Sequence, residues 1–189
     1  MYVTAREMVP AQGEMQKTIA FGSEIVEVMN NRYGSAMAMS TEIGGSPNKV
    51  WLSGFWQSLD DYQSFLESYM ADQQLMAAIS MSTSFMTEMQ DQIGEVLRPP
   101  GERKAFAQVH RGRLKSTGVA EGTELILELT NHVSELSGEE CGLVRAVTGD
   151  QYGVTFVAHA DTLQGLKDMT DTWVADEKYQ ELFVKGPEY

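Results

Sequence analysis

VWLSGFWQSLDDYQSFLESYMADQQLM, residues 50–76, is the stretch whose reading decides the fold. Val50–Gln57 is rich in β-branched and aromatic residues and predicts a strand. Ser58 then stands where a helix needs an N-cap, and Asp60 and Asp61 fall in the first turn, where the helix dipole favours negative charge. The helix breaks near Ala71-Asp72. The same plan returns 104 positions later in VTFVAHADTLQGLKDMTDTWVADEKYQ, residues 154–180. Leu59 falls on Leu163, Tyr69 on Trp173, Ala71-Asp72 on Ala175-Asp176 and Gly45 on Gly149, with no gap. A fixed offset of this kind marks an internal repeat.

Towards the N-terminus, Tyr2–Val9 reads as a strand, closed by Pro10, which restricts the residue before it to extended geometry. Met15, Ile19, Ala20, Ile25, Val26 and Met29 recur at helical spacing and predict a helix over Gln12–Asn30, ended by Asn30-Asn31-Arg32-Tyr33-Gly34. Ala36–Ile43 is a second strand, with a hairpin-type turn at Gly44–Asn48. Towards the C-terminus, Leu75, Ile79, Met86, Met89 and Ile93 recur at steps of four, seven, three and four. They predict a helix over Gln73–Gln92, then a short edge strand at Ile93–Arg98 before Pro99-Pro100-Gly101. The second copy repeats the order with strands at 105–114, 142–148 and 152–159 and helices at 121–136 and 162–182. Residues 85–98 have no counterpart, so the second copy lacks a final strand.

Strand–helix–strand–strand–helix, twice, is the split βαβ arrangement of ferredoxin-like domains. The expected class is α+β: two tandem ferredoxin-like βαββα(β) repeats, packed sheet to sheet as an intrachain α/β barrel. The first repeat is 1-98, the linker 99-104 and the second repeat 105-189. Strands one and three of each repeat are expected to be central and parallel. Trp51 and Phe55 alternate away from Trp56 and, with Phe156 and Val157, are expected to be buried between the sheets.

Charge and composition narrow the classes. A formal charge of −13 over 189 residues disfavours nucleic acid and anionic membranes as partners. The basic cluster Arg98, Arg103, Lys104, Arg111, Arg113 and Lys115 reads as a solvated, charge-balancing linker region. No apolar run is long enough for a membrane span. The single cysteine, Cys141, excludes an intramolecular disulfide and suits a reducing, cytoplasmic setting. It follows two glutamates, which is no place for a nucleophilic thiolate. The methionines from Met70 to Met89 read as adaptable core filler, not as a metal site, because no His or Cys accompanies them. Gly-rich phosphate loops, Cys-x-x-Cys, His-Glu-x-x-His and Ser-elbow motifs are absent from the sequence.

At Phe55-Trp56-Gln57-Ser58-Leu59-Asp60-Asp61-Tyr62 the chain resembles the dimeric α/β barrel superfamily, and within it the antibiotic-biosynthesis-monooxygenase type. In that type a Trp ends the third strand and a short polar helix start follows. The superfamily includes cofactor-free oxygenases of aromatic polyketides, cyclases, isomerases and haem-binding proteins, so the fold alone fixes no activity. Two departures matter. The His found about nine residues after the Trp in many such domains is Phe65 here and Met169 in the second copy. The Trp itself becomes Ala160 in the second copy. Haem degradation of the superfamily's kind needs a His on the second helix, and neither copy has one.

The resemblance implies a cofactor-independent monooxygenase, cyclase or isomerase acting on a small apolar, aromatic or polyketide-like molecule. Trp56, Tyr62, Phe65 and Arg6 are its candidate substrate-binding residues, and no cofactor or metal is expected. For acid–base chemistry His110 and His159 stand out, on strands expected to be adjacent, since imidazole titrates near neutral pH. The positions aligned with them in the first copy are Arg6 and Phe55, and His132 reads as a surface or helix-end residue. The alternative is a non-catalytic ligand-binding or assembly module whose missing strand recruits a partner. On either reading the edge at Phe106–Leu114 is expected to be covered, by a homo-oligomer contact or by the tail Val184–Tyr189.

Overall fold

A computed structural model describes residues 1–46 and 48–186 of the chain. Contacts divide it into two units, Met1–Ile93 and Gly94–Tyr189. The first contains β1 (Tyr2–Pro10), α1 (Met15–Tyr33), β2 (Ala38–Thr41), β3 (Val50–Trp56), α2 (Leu59–Met70), α3 (Gln73–Ser82) and the first part of β4 (Met86–Arg98). The second contains the rest of β4, then β5 (Phe106–Arg113), α4 (Val119–Ser137), β6 (Gly142–Ala146), β7 (Gly153–Ala160), α5 (Leu163–Ala175) and α6 (Glu177–Lys185).

In the first unit the hydrogen-bonded strand order is β2-β3-β1-β4, that of a ferredoxin-like sheet. β1 and β3 are central, but they are antiparallel, with Tyr2 opposite Trp56 and Met8 opposite Val50. This corrects the parallel expectation, and connectivity explains it. The crossover through α1 returns the chain so that β2 runs with β1. The β2–β3 hairpin then reverses it, so β3 opposes both neighbours.

Local chemistry sets the element ends. Ser58 and Asp61 form a reciprocal capping box: Asp61 N–H donates to Ser58 Oγ at 3.1 Å and Ser58 N–H donates to the Asp61 carboxylate at 3.0 Å. Asp72 breaks the helix by capping the next one, its carboxylate accepting from the N–H groups of Gln74 and Leu75, both at 3.0 Å. The predicted helix 73–92 stops early, at Ser82. The hydroxyls of Ser82, Thr83 and Ser84 turn back onto the carbonyls of Ile79, Ser80 and Met81, which competes with helix propagation. The chain leaves as β4, a 13-residue strand flanked by β1 and β6 and so not an edge.

The second unit repeats these devices at the offset read from sequence. Gly34 and Gly138 close α1 and α4 in the left-handed region, at φ 64° and 68°. Thr162 caps α5 as Ser58 caps α2, and Asp176 caps α6 as Asp72 caps α3. Gly45 and Gly149 turn the two hairpins at φ 84° and 79°. Its strand order is β4-β6-β7-β5, and β5 ends it: among the described residues no strand pairs with the outer edge of β5. Val184 and Lys185 belong to α6, and residues 187–189 of the tail expected over that edge lie outside the described residues.

The helix-facing side of each sheet carries the core. Met8, Ile25, Met29, Val50, Leu52, Trp56, Phe65 and Tyr69 fill the first, and Val133, Ala158, Ala160, Met169 and Trp173 fill the second. Trp51 is buried on the opposite face of β3, but Phe55 beside it is 42% exposed, against expectation. Phe156 also departs from expectation. It faces the helices and meets Trp173 edge-on at 5.7 Å. Among the described residues, no helix is long and apolar enough to cross a membrane, and no group of three or more His, Cys, Asp or Glu is placed to hold a metal.

Candidate functional site

Alternation along β1 puts Thr4, Arg6 and Met8 on the helix-facing side of the sheet, beside Leu52, Gly54 and Trp56 of β3. Trp56 is the last residue of its strand, so its ring must fold back over the sheet to be buried. Gly54 makes the room: a Cβ there would lie 3.3 Å from the Trp56 ring and 3.2 Å from Met37. The indole N–H then donates to the Thr4 hydroxyl at 2.9 Å, which satisfies a polar group inside an apolar site.

α2 brings the remaining rings. Phe65 lies 4.6 Å from Trp56 between centroids, Tyr62 5.3 Å from Trp56, and Tyr69 5.2 Å from Phe65. The spacing of 62, 65 and 69 on one helix face makes this ladder. Beside it lies a cavity of about 40 Å³, lined by Thr4, Arg6, Tyr62, Phe65, Tyr69 and Asp91 with apolar side chains from α1 and β3. Arg6 makes a two-pronged pair with Asp91 of β4, both contacts at 2.7 Å. The Asp91 bonds, helped by Tyr69, hold the Arg6 guanidinium above its already high ordinary pKa despite partial burial. Burial, with Asp91 second, raises the Tyr62 phenol, so it keeps its proton at neutral pH.

Three of the four residues proposed from sequence for binding, Tyr62, Phe65 and Arg6, line one cavity of the first unit; Trp56 does not line it and packs against Tyr62 and Phe65. Sequence reasoning missed Thr4, Tyr69 and Asp91. Tyr69 was visible as a repeated aromatic, and Thr4 as the strand neighbour of Arg6 two positions on. Asp91 was hidden by reading β4 as helix.

The two histidines are not brought together. In the β5–β7 ladder His110 stands opposite Phe156 and His159 opposite Ala107. Three positions separate them, so they point to opposite faces of the sheet, and the expected acid–base pair does not form. His110 has Nε2 2.5 Å from Gln108 Nε2, and Thr170 donates to the same glutamine's Oε1 at 3.2 Å. His159 is partly buried with Nδ1 unpartnered among the described residues. Burial first, then the charges of Arg103 and Lys104, lower its pKa.

The second unit carries different chemistry at the positions of the first unit's cavity. Gln108, His110, Ala160, Leu166, Met169 and Trp173 stand where the first unit has Thr4, Arg6, Trp56, Tyr62, Phe65 and Tyr69. The Trp173 indole donates to the Val133 carbonyl at 3.2 Å and is used up structurally. His132 sits 2.6 Å from the capping carboxylate of Asp176, a helix-end role. The basic cluster is also largely tied down: Lys104 to Glu139 and Asp161, Arg113 to Asp150, and Arg98 to Asn131 and the Cys141 carbonyl.

No protein-family model and no curated protein matches the sequence. Solved structures do match the fold. One is a candidate monooxygenase from Lactobacillus acidophilus, with TM-score 0.69 and 7% identity over 97% of this chain and 86% of that one. Another is a candidate monooxygenase from Fusobacterium nucleatum, with TM-score 0.71 and 8% identity over 99% and 86%. The chain has the fold of these proteins. A candidate antibiotic-biosynthesis monooxygenase from Deinococcus radiodurans matches 56% of this chain and 98% of its own, at 13% identity and TM-score 0.42. At such identities the likeness covers the fold alone.

Proposed function

We propose that the first unit binds a small, largely apolar aromatic molecule between Tyr62, Phe65 and Arg6 and oxidises it without a redox cofactor. The observation that carries this reading is the meeting of an aromatic ladder with one firmly charged arginine in a single cavity. A planar ring stacks on the Phe65 and Tyr62 faces. A phenolate or enolate oxygen lies against Arg6, which stabilises the electron-rich form that reacts with dioxygen. Thr4 has one oxygen lone pair engaged by the Trp56 indole and keeps its O–H to donate to the ligand. The protonated Tyr62 adds a second donor.

A reaction that needs no redox cofactor takes its electrons from the substrate. A doubly benzylic CH2 plus O2 gives C=O plus H2O, a four-electron balance with nothing left over. The existing cavity holds only two or three waters on the usual scale. Occupation by a tricyclic ligand therefore requires the partly exposed Tyr62 and Leu66 of α2 to swing outward.

The test is a titration of the protein with anthrone and with 1-naphthol, followed by tryptophan quenching and by an oxygen electrode. Saturable quenching with oxygen uptake supports the reading. Quenching without uptake leaves a binding site and removes the oxygenase. Neither signal removes both. Arg6→Gln is expected to weaken binding of an ionised phenol about ten- to a hundredfold, the usual worth of a hydrogen bond to a charged group.

A further inference from the structure

We infer that Asp91 is the proton acceptor of the first unit's site, and that the Arg6–Asp91 pair restricts it to ligands that arrive uncharged and ionise in place. The inference rests on the aromatic-ligand reading given above and adds a residue and a charge rule to it. Thirteen described residues surround the cavity, and only Arg6 and Asp91 among them carry charge. All of them lie in the first unit. The two charges cancel across two contacts of 2.7 Å, from Nε and Nη2 of Arg6 to the two carboxylate oxygens of Asp91. That fork uses two of the five guanidinium N–H groups and leaves three, with Tyr69 beside the guanidinium. Each Asp91 oxygen likewise keeps a lone pair beyond the one that the fork takes. The pair therefore presents donors and acceptors side by side to whatever fills the cavity.

The charge balance decides what can bind. An anion entering beside Arg6 also meets the Asp91 carboxylate, and two like charges in a partly buried site disfavour each other. Tyr62 shows that this field reaches the ligand's place. Burial first, and then the Asp91 charge, raise its phenol, so a negative charge at that hydroxyl is opposed. Removing the Asp91 charge with no replacement would leave the partly buried Arg6 guanidinium unpaired, which is unfavourable too. A ligand that enters with its proton avoids both costs. Its O–H bond, or the C–H bond of an enolisable CH2, breaks; the proton passes to a carboxylate oxygen of Asp91, and the electron pair stays on the ligand and its oxygen. That oxyanion then takes the carboxylate's place on Arg6. Charges sum to zero before and after the transfer, so no net charge is created in apolar surroundings. The electron-rich ligand forms where Arg6 holds it, and no separate base is required.

The probes are 1-naphthol and 1-naphthoate, followed by tryptophan quenching, and 4-nitrophenol, followed by visible absorbance with a pH indicator in weak buffer. All are used on the whole protein. 1-Naphthol is expected to bind more tightly than 1-naphthoate by about tenfold or more, the worth of one like-charge interaction. At a pH one unit below its own pKa, 4-nitrophenol is expected to bind with the phenolate spectrum while releasing no proton to the medium. Asp91→Asn should bind 1-naphthoate about tenfold more tightly than the wild type does. It should also release about one proton for each bound phenolate, and Asp91→Glu should restore retention of that proton. Circular dichroism establishes that both variants are folded, and the wild-type comparisons need no variant. Three results would overturn the inference while leaving the aromatic site standing: equal affinity for 1-naphthol and 1-naphthoate, bound 4-nitrophenol that keeps the phenol spectrum, or phenolate formation in Asp91→Asn without proton release. Failure of the wild type to bind any of the three probes would remove the aromatic site and the inference with it.

Discussion

Trp56 is positioned by three residues that do not look related in sequence: Gly54 clears the space, Thr4 accepts a hydrogen bond from the indole N–H and Phe65 packs against the ring from α2. Trp56→Phe keeps the packing but removes the donor, and is expected to cost about 1–2 kcal/mol in urea unfolding. Thr4→Val should cost a similar amount, and the double variant less than the sum, since both changes delete one bond. His159 makes the other residue-level prediction, in pH. Its native pKa lies below the ordinary 6.5, so the unfolded chain takes up the proton first as pH falls. Its contribution is complete above pH 6.5 and is lost progressively below, towards the lowered native value. Unfolding midpoints between pH 8 and 5 should therefore drop below 6.5, and His159→Leu should flatten that drop. The depressed carboxylates Asp72 and Asp176 act in a separate window, below their ordinary 3.8.

At the scale of elements the chain offers matched pairs. Gly34→Ala and Gly138→Ala each force a Cβ into the left-handed region and are expected to cost about 1 kcal/mol, read as two similar shifts in denaturant midpoint. Ser58→Ala should cost about 1 kcal/mol and Thr162→Ala no more, because threonine lacks the reciprocal carboxylate that Asp61 supplies. These caps were legible because each rests on one or two residues at fixed spacing. β4 was not. Met86, Met89 and Ile93 fall three and four apart by coincidence, while the helix had already been stopped by the hydroxyls of Ser82–Ser84. That one misreading concealed Asp91, and with it the partner of Arg6. The strand directions were misjudged for another reason: they follow from the hairpin and crossover connections, not from any local pattern.

For the whole molecule, the 104-residue offset was enough to give the fold class and the elements the two units share, because a repeat supplies each of those twice; it gave neither the extent of β4, which has no second copy, nor the strand directions. It could not give the site, which is made of differences between the copies. Net charge is a property of the whole chain too: at −13, retardation of duplex DNA at 150 mM salt is expected to be undetectable by gel shift. A shift at that salt would mean that the basic strand β5 outweighs the acidic body.

The shared offset also has a historical side. Two copies of one structural plan, joined in one polypeptide, are inherited together and experience the same cell, yet only the first carries Trp56, Arg6 and the ring ladder. The other holds alanine, histidine and methionine at those places while keeping its caps, turns and hairpin glycines. The two halves thus share backbone devices and differ in the side chains at the cavity positions. Transplanting Thr4, Arg6, Trp56, Tyr62 and Phe65 onto positions 108, 110, 160, 166 and 169 would ask whether the second half can hold the same cavity.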